Sequence, residues 1–446
     1  KFSMALDLLD KIVSLSKRRG FVFQSSEIYG GINGCWDYGP LGVEMLNNIK
    51  KQWWKFMTYR ENIEGIDAAI IMHPKVWEAS GHVENFTDPM VDCKECKCRF
   101  RADQIEDQMC GNPAYKGRKA SKCQAEGKFT EARQFNLMFK TYIGPVEDSS
   151  AIAYLRPETA QGIFVNFLNV QSAMRQKIPF GIAQIGKAFR NEINTKNFLF
   201  RTREFEQMEM QFFVNPKEDV EWFNYWKQER FNWFIELGIK KEKLQFHQHE
   251  PDKLAHYAKD AYDIEYEFAF GWGEIEGIHN RTDYDLSRHE QYSGKSLRYY
   301  DEQTKEKYIP YIIETSAGAS RSFMAFLIDS YNEEEVKGEK RVVLKLHPKI
   351  APINCAIFPL VNRDNMPEIA RSITDDLKKS FKVFYDDSGA VGRRYRRQDE
   401  IGTPYCVTVD SQTLEDGSVT IRERDSMEQI RIQKDNITSF LMDKLF

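Results

Sequence analysis

Apolar residues recur at three- and four-residue spacings in several stretches of the chain, which predicts amphipathic helices. The clearest stretch is 39–57, which begins with Gly-Pro and places Leu41, Met45 and Ile49 on one face. The N-terminal twenty residues show the same spacing and end in basic residues. Residues 220–239 predict a long helix whose aromatic side chains belong to the core.

Between these helices the pattern changes to short runs typical of β-strands. Three runs lie between residues 152 and 213, with the sequences AIAYL, FGIAQIGKAF and REFEQMEMQFFV. Two more strands are predicted at 263–278 and 307–318, and an apolar helix follows the second. This order of elements predicts an α+β fold for most of the chain.

Two segments interrupt the pattern. Residues 93–136 are rich in Cys, Lys and Gly and lack apolar periodicity, which indicates an insertion. After the acidic and basic linker NEEEVKGEKR, strands and helices alternate to the end of the sequence. We therefore predict a domain boundary near residue 347, with a small α/β domain behind it.

Composition narrows the class of protein. A chain of 446 residues predicts two or three domains, at roughly 100–200 residues each. The net charge of −4 argues against a uniformly basic nucleic-acid coat but leaves room for a local basic patch. No apolar run reaches the ~20 residues of a membrane span, so we expect no membrane association. The N-terminus differs from a signal peptide and eight cysteines are few, so we expect reduced thiols and a cytoplasmic protein.

Charged and aromatic residues share strand faces in four β segments. Side chains two apart point the same way along a strand, so the groups expected to share a face are Arg190 with Glu192, Phe205 with Gln207, Glu209 and Gln211, Glu274 with Glu276, and Glu314 with Ser316. A buried face of this kind is costly unless its charges meet partners. A ligand of mixed charge would supply them, because arginines suit phosphates, carboxylates suit an ammonium group and Phe205 suits a purine. The alternative is a solvated sheet with cross-strand ion pairs.

A phosphate-binding loop is rejected. GIAQIGKA at 181–188 nearly matches a P-loop, but Ala188 stands where Ser or Thr should bind Mg²⁺, and the stretch predicts a strand. His279 and His289 lie near the presumed site, and we assign them to the core or the surface.

The cysteines of the insertion hint at zinc. A four-ligand zinc site usually shows two close pairs of ligands, whereas the second pair here would be separated by twelve residues. Zinc is therefore possible but not favoured by the spacing. The residues concerned are Cys93, Cys96, Cys98, Cys110 and Cys123.

Several runs resemble the signature motifs of class II aminoacyl-tRNA synthetases. RNE (190–192) with FRTREFEQME (200–209) is similar to their motif 2, and ETSAGASR (314–321) to motif 3. GFVFQSSEIYGGINGCWDYGPLGVEML (20–46) resembles the motif 1 region. RPETAQGIF and GEIEGIHNRTDYDLSRH resemble the homodimeric glycyl-tRNA synthetases, and GRRYRRQDEIGTPYCVTVD resembles their anticodon-binding domain.

This resemblance implies a fold and a reaction. The fold would be an antiparallel sheet flanked by helices in a catalytic domain at 1–346, with the insertion at about 93–136. A small α/β anticodon-binding domain would follow at 347–446. The chain would activate glycine with ATP and Mg²⁺ to glycyl-adenylate, transfer the glycyl group to tRNA(Gly), and form a homodimer.

The resemblance also implies roles for individual residues. Arg190 would hold the α-phosphate, Phe205 and Arg321 would enclose adenine, and Arg203 would meet the distal phosphates. Glu192 would act near the adenine amino group, and Glu274 would help to hold Mg²⁺. Arg190 and Arg321 would be the catalytic pair. The full ATP-binding set would be Arg190, Asn191, Glu192, Phe200, Arg201, Thr202, Arg203, Glu204, Phe205, Glu274, Ile275, Gly318, Ala319, Ser320 and Arg321.

Glycine and tRNA would meet further residues. Carboxylates would clamp the glycine ammonium and crowd its α-carbon, in a set formed by Arg101, Glu158, Phe205, Glu206, Gln207, Met208, Glu209, Glu314, Thr315, Ser316, Ala317 and Gly318. The polar loop 194–199 would meet the acceptor stem. The anticodon would meet Arg393, Arg394, Arg396 and Arg397, for which the alternative is a solvated helix face.

Three rival functions remain at this point. A synthetase-like protein that has lost catalysis should have eroded motif 2 and motif 3, and both are present here. A related synthetase for serine, threonine or proline would lack the RPETAQG and EFEQMEMQ runs. A purely structural protein with ion-paired strands would show no ATP-dependent chemistry.

Overall fold

The computed structural model describes residues 2–195, 197–255 and 257–445, and it is built from both helices and sheets. No helix in these ranges combines the length and the apolar character that a membrane crossing requires. The helices are α1 (Phe2–Arg19), α2 (Pro40–Thr58), α3 (Lys75–Ala79), α4 (His82–Asn85), α5 (Ala120–Ala125), α6 (Ala160–Phe164), α7 (Phe167–Met174), α8 (Asp219–Glu236), α9 (Tyr284–Ser293), α10 (Ala319–Ser330), α11 (Met366–Leu377), α12 (Val391–Ile401), α13 (Ser411–Asp416) and α14 (Ile437–Leu445).

The strands fall into one large sheet, one C-terminal sheet and several smaller ones. Their bounds are β1 (Val22–Gln24), β2 (Trp36–Tyr38), β3 (Ile63–Gly65), β4 (Thr87–Asp92), β5 (Arg99–Arg101), β6 (Arg133–Asn136), β7 (Lys140–Tyr142), β8 (Ile152–Tyr154), β9 (Phe180–Phe189), β10 (Glu204–Val214), β11 (Leu244–Gln248), β12 (Asp260–Phe268), β13 (Gly271–Thr282), β14 (Tyr299–Tyr300), β15 (Lys307–Tyr308), β16 (Tyr311–Gly318), β17 (Tyr331–Val336), β18 (Glu339–Leu344), β19 (Cys355–Pro359), β20 (Val383–Tyr385), β21 (Tyr405–Val409), β22 (Ser418–Glu423) and β23 (Gln429–Gln433).

A seven-stranded sheet forms the centre of the larger domain, in the order β11–β12–β13–β16–β10–β9–β3. Neighbouring strands are antiparallel except β3, which pairs with β9 in parallel. The stretch 181–188 lies inside strand β9, so its rejection as a P-loop is confirmed. The predicted antiparallel sheet is also confirmed.

Helices cover both faces of this sheet. On one face, α2, α8 and α10 bury Trp53, Trp226 and Phe323 against Met208 and Phe212 of β10. The apolar face predicted for α2 is therefore observed. On the other face, α6, α7 and α9 pack against the sheet through a second apolar cluster. The charged positions of β10 and β16 lie on this second face, beside that cluster.

The C-terminal part has its own sheet and core. Strand β19 pairs in parallel with β20 and β21, whereas β21, β22 and β23 are antiparallel. Helices α11 and α14 bury Ile373 and Leu441 against this sheet. The hairpin β17–β18 contacts α12, where the buried Arg341 donates to Asp399 at 2.9 Å. The predicted small α/β domain is confirmed.

Candidate active site

A cleft opens where the β9–β10 connection meets the start of α10. It lies beside the antiparallel pairs in which Gln207 faces Gly318 and Glu209 faces Ser316. Most of the predicted nucleotide-binding side chains meet there. The residues that line the cleft are Arg190, Glu192, Leu199, Phe200, Arg201, Thr202, Phe205, Glu206, Gln207, Glu274, Ser316, Gly318, Ser320 and Arg321.

Arg190 lies over an aromatic ring at one side of the cleft. Strand β9 ends at Phe189, so Arg190 and Glu192 lie in the connection rather than on a strand. The guanidinium carbon of Arg190 is 5.3 Å from the centre of the Phe205 ring. Its Nε donates to the carbonyl of Pro157 at 3.0 Å, and Arg190 is among the residues that line the cleft. Phe205 therefore carries a fixed positive charge above its face.

Arg321 is fixed at the opposite side of the cleft. Its Nε donates to the carbonyl of Phe200 at 3.0 Å, and its Nη1 donates to the Glu274 carboxylate at 2.9 Å. The guanidinium carbon also lies 4.4 Å from the centre of the Phe200 ring. Burial opposes ionisation of Glu274, but the Arg321 charge outweighs it and lowers the pKa of that carboxyl.

Glu276 does not share this face, which corrects the prediction. Glu276 pairs with Ile264 and Glu274 with Glu265, so Ile275 is an extra residue in β13 and forms a β-bulge. The bulge breaks the two-residue alternation. Glu276 lies instead on the helix side, where it is fully buried and accepts bonds of 2.7 and 3.1 Å from Arg230 of α8.

Arg203 is placed differently from the prediction. Its Nε donates to the carbonyl of Glu192 at 2.9 Å, and its Nη1 bonds the carbonyl of Asn33. It does not line the cleft, whereas Arg201 does. Glu204 also does not line the cleft, and it forms an ion pair with Lys187.

A buried carboxylate pair lies beside the cleft on β10 and β16, although neither carboxylate is among the residues that line it. Nε2 of Gln211 donates to Glu209 at 2.7 Å and to Glu314 at 3.3 Å. The Thr159 hydroxyl donates to the other oxygen of Glu209. Glu209 is 1% exposed and Glu314 5%, so neither carboxyl group is well solvated by water.

The two carboxyls differ in protonation. Burial, with the negative charges of Glu314 and Glu158 nearby, raises the pKa of Glu209 well above its ordinary value. Burial also opposes ionisation of Glu314, but the Arg281 guanidinium and the His279 ring hold the pKa of that carboxyl well below its usual range. The surroundings therefore favour the proton on Glu209 and the negative charge on Glu314.

Sequence reasoning missed the cations and amides around these carboxylates. Arg281 donates to Glu314 at 2.7 Å and to Asp285 at 2.8 Å. The Nδ1 atom of His279, a residue predicted to belong to the core or the surface, lies 3.2 Å from the Glu314 carboxylate. The alternation that placed Glu314 on this face could have identified His279, because the two residues are paired between β13 and β16.

Glu158 lies close to the same cluster. It accepts a hydrogen bond of 3.0 Å from Gln161, and Nε2 of His82 lies 3.4 Å from its second oxygen. Burial opposes its ionisation, but the His82 ring and the Arg281 guanidinium hold the pKa of Glu158 at about 2. The three predicted carboxylates thus lie in one electrostatic group.

Several predicted side chains are directed away from the cleft. Alternation along the strands places four of them in the core on the helix side or, for Thr315, on the same side as that core, and Ala319 enters the same core as the first residue of α10. These residues are Met208, Ile275, Thr315, Ala317 and Ala319. Asn191 bonds Leu137 through its backbone and does not line the cleft. Arg101 pairs with Asp88 at 3.0 Å and Asp103 at 2.7 Å, outside the cleft.

The predicted anticodon arginines have mixed roles. Arg394 is 2% exposed and donates to backbone carbonyls, including Gly389 at 2.7 Å, so it is a structural residue. Arg397 donates to Asp386 at 2.6 Å, and Arg396 lies 3.4 Å from Asp399. Arg393 is exposed on α12. The loop 194–199 includes Lys196, which lies outside the described residues.

Comparison with known proteins identifies the family. Residues 139–331 match the model of the tRNA synthetase class II core domain (G, H, P, S and T), and residues 354–444 match the anticodon binding domain. The chain is 60% identical over 443 residues to a glycine–tRNA ligase of Treponema denticola, covering 97% of this chain and 96% of that protein. The chain belongs to the glycine–tRNA ligase family.

Other relatives agree with this assignment. A glycine–tRNA ligase of Borreliella burgdorferi is 60% identical over 443 residues, with 98% of this chain and 97% of that protein covered. One from Caldanaerobacter subterraneus is 58% identical over 456 residues, with 98% of each covered. The predicted fold class of this ligase family is confirmed, with a class II core followed by an anticodon-binding domain.

Proposed function

We propose that the chain is an ATP-dependent glycine–tRNA ligase that forms glycyl-adenylate and transfers the glycyl group to the 3′ end of tRNA(Gly). The observation that carries the proposal is a continuous face on β10 and β16 with opposite charges at its two ends. Arg190 lies over Phe205 and Arg321 over Phe200 at one end, and buried carboxylates lie at the other. Family membership supports the same reaction.

The arginine end suits the nucleotide. The Phe205 ring would stack on one face of adenine. The Arg321 guanidinium would cover the opposite face of adenine without leaving its hydrogen bonds. Arg190 would hold the α-phosphate, which it can approach without leaving its bond to Pro157. Arg201 lines the cleft and would meet the distal phosphates, the role first expected of Arg203.

Glu274 would help to hold the Mg²⁺ ion that accompanies ATP. Mg²⁺ prefers one or two carboxylates together with phosphate oxygens, and Glu274 is a carboxylate that lines the cleft. The ion would offset charge on the pyrophosphate as it leaves. Glu274 also holds Arg321 in place, so it supports the adenine position as well.

The carboxylate end suits the glycine ammonium. Glu314 is ionised and Glu158 has a pKa near 2, so negative charge is available at neutral pH. Ser316 lies next to Gln207, which donates to its hydroxyl at 3.3 Å, and both narrow the cleft beside the carboxylates. Exclusion by these groups would select glycine, because glycine offers no side chain to bind.

The reaction requires positioning and charge neutralisation more than acid–base chemistry. A glycine carboxylate oxygen attacks the α-phosphorus, and the bond to pyrophosphate breaks. The terminal ribose hydroxyl of tRNA then attacks the glycyl carbonyl and loses its proton, and AMP leaves with the electron pair of the mixed anhydride bond. Arg190 meets the α-phosphate in both steps, which makes it the central catalytic residue.

The larger organisation belongs to the same proposal. We place the catalytic domain at 1–346 and the anticodon-binding domain at 347–446, and their separate apolar cores support this division. We propose a homodimer, supported by the exposed apolar residues Ile28 (87%), Tyr29 (87%) and Ile32 (51%) in the region that resembles motif 1. The reaction would take place in the cytoplasm.

Charging of tRNA(Gly) with radiolabelled glycine tests the proposal. The chain should charge this tRNA in the presence of ATP and Mg²⁺, and Arg190→Ala should reduce charging by about 10²–10³-fold because a charge on the transition state is lost. Arg298→Ala is the matched control, since Arg298 is 46% exposed and pairs only at the surface with Glu290. No charging by the unmodified chain, or full charging by Arg190→Ala, would contradict the proposal.

A further inference from the structure

Five thiols of the insertion lie together in one cluster. The Sγ atoms of Cys96, Cys98 and Cys110 are all within 4.8 Å of one another. The thiol of Cys93 interacts with that of Cys96 and with that of Cys123, so Cys96 belongs to both groups. All five are free thiols. Sulfur atoms around one tetrahedral zinc are about 3.8 Å apart, which follows from a Zn–S distance of ~2.3 Å.

The fold closes the long gap that counted against zinc in the sequence. The backbone amide of Cys110 donates to the backbone carbonyl of Arg118 at 2.9 Å, and an isolated β-bridge pairs Met109 with Lys119. Helix α5 then begins and returns Cys123 to the first thiols. Twelve intervening residues are therefore folded back on themselves, and sequence spacing is a poor guide to spatial distance here.

The first thiols sit in a turn suited to a metal. The amide of Cys96 points at Sγ of Cys93 over 3.4 Å, and the amide of Cys93 donates to the Cys98 carbonyl at 2.9 Å. Lys97 adopts a left-handed conformation with φ of 60° so that the chain turns sharply between Cys96 and Cys98. An amide directed at sulfur stabilises the thiolate form, which is the form that binds metals.

The insertion has little else to hold it together. The buried apolar side chains packed with the thiols are Val91, Phe100, Ile105 and Ala120. Segments of about 40 residues usually need a metal or disulfides to fold stably. In addition, Arg118 lies near Cys123; its terminal nitrogens pair with Glu95 and Glu126, and its buried Nε has no hydrogen-bond partner among the described residues. A zinc ion with four thiolates carries a net charge of −2, which such a cation would offset.

We propose that this cluster binds one structural Zn²⁺ ion through Cys96, Cys98 and Cys110, with the fourth thiolate from Cys93 or Cys123. The four thiol protons leave to solvent as the Zn–S bonds form, so no redox partner is required. The ion fixes the turn, the return of α5 and the small sheet β5–β4–β6 in one arrangement. Four sulfur ligands in a closed site are typical of structural rather than catalytic zinc. The site stands apart from the cleft and does not depend on the proposed reaction.

Metal analysis of the full-length protein tests this proposal. Protein prepared with reducing agent and zinc sulfate, then gel-filtered, should contain about one zinc per chain by mass spectrometry of the metal. Cys96→Ser and Cys110→Ser should lose the metal, whereas Cys35→Ser, outside the cluster, should retain it. Comparison of Cys93→Ser with Cys123→Ser then identifies the fourth ligand.

Cobalt substitution provides a readout that does not depend on variant folding. Co²⁺ bound to unmodified apoprotein should show the intense visible absorption of tetrahedral cobalt and a sulfur-to-cobalt charge-transfer band. Addition of zinc should remove both. Unmodified protein that takes up no zinc, Cys96→Ser protein that retains it, or weak octahedral cobalt bands would each overturn the proposal.

Discussion

Glu274 and Glu276 stand two positions apart on β13 and form a matched pair for a test of the site. The bulge at Ile275 sends one carboxylate to the cleft and the other to the core. We expect Glu274→Gln to impair catalysis and leave stability nearly unchanged. We expect Glu276→Gln to destabilise the catalytic domain. The two substitutions are chemically identical, so different results can come only from position.

The effect of Glu276→Gln follows from its burial. Glu276 and Arg230 are both 0% exposed and share two hydrogen bonds, of 2.7 and 3.1 Å. Removal of one partner leaves an uncompensated buried charge, which costs about 3–5 kcal/mol. The double variant Arg230→Met/Glu276→Met removes both charges and should recover most of this loss, because apolar replacements of buried pairs are often neutral.

The effect of Glu274→Gln is expected on the reaction. Its side chain is 45% exposed and that of Arg321 is 25% exposed, so solvent screens their pair and the loss of stability should stay below about 1 kcal/mol. Release of Arg321 and loss of the magnesium-binding carboxylate should reduce kcat/KM for ATP by about 10²–10³-fold.

Two assays on both variants decide the matter. ATP–pyrophosphate exchange with glycine reports the reaction, and the midpoint of the first urea transition reports stability. The reasoning would be refuted if Glu276→Gln kept the unmodified midpoint, or if Glu274→Gln lowered the midpoint as much as Glu276→Gln. Either result would mean that the bulge does not separate the two carboxylates.

Three further outcomes are expected. The pKa of Glu209 is raised in the folded protein, so its contribution to stability is present at low pH and is lost as pH rises. Above pH ~4.3, the ordinary pKa of Glu, the urea midpoint of Glu209→Gln should therefore rise relative to that of the unmodified protein. Glu314→Gln should raise the KM for glycine by about tenfold or more in exchange assays, because an ionised partner of the ammonium is lost. In charging assays Arg393→Ala should raise the KM for tRNA while leaving exchange unchanged, whereas Arg394→Ala should lower the melting temperature of the C-terminal domain.

Strand alternation explains how much of the site the sequence could predict. It correctly placed Gln207, Glu209 and Gln211 on one face, because β10 is regular over its full length. Alternation placed Glu276 on the wrong face, because a β-bulge inserts one residue before it and a single sequence does not reveal a bulge. The same strand has a second irregularity next to Arg281, which hid that arginine from the same argument.

A second limit on prediction from sequence is that residue type does not reveal which partner a side chain has. Arg203 and Arg394 carry the charge that phosphates need, yet both donate to backbone carbonyls. A guanidinium with five donors can serve either purpose, and residue type alone does not distinguish them. The cysteines show the opposite case, since their spacing argued against a cluster that the fold assembles.

The central claim is that this cleft activates glycine with ATP. ATP–pyrophosphate exchange with each of the standard amino acids in turn, with Mg²⁺ and without tRNA, tests it most directly. The account predicts exchange with glycine alone, lost in Arg190→Ala. Exchange with another amino acid would contradict the carboxylate pocket, and no exchange with any, also in the presence of tRNA, would contradict the activity itself.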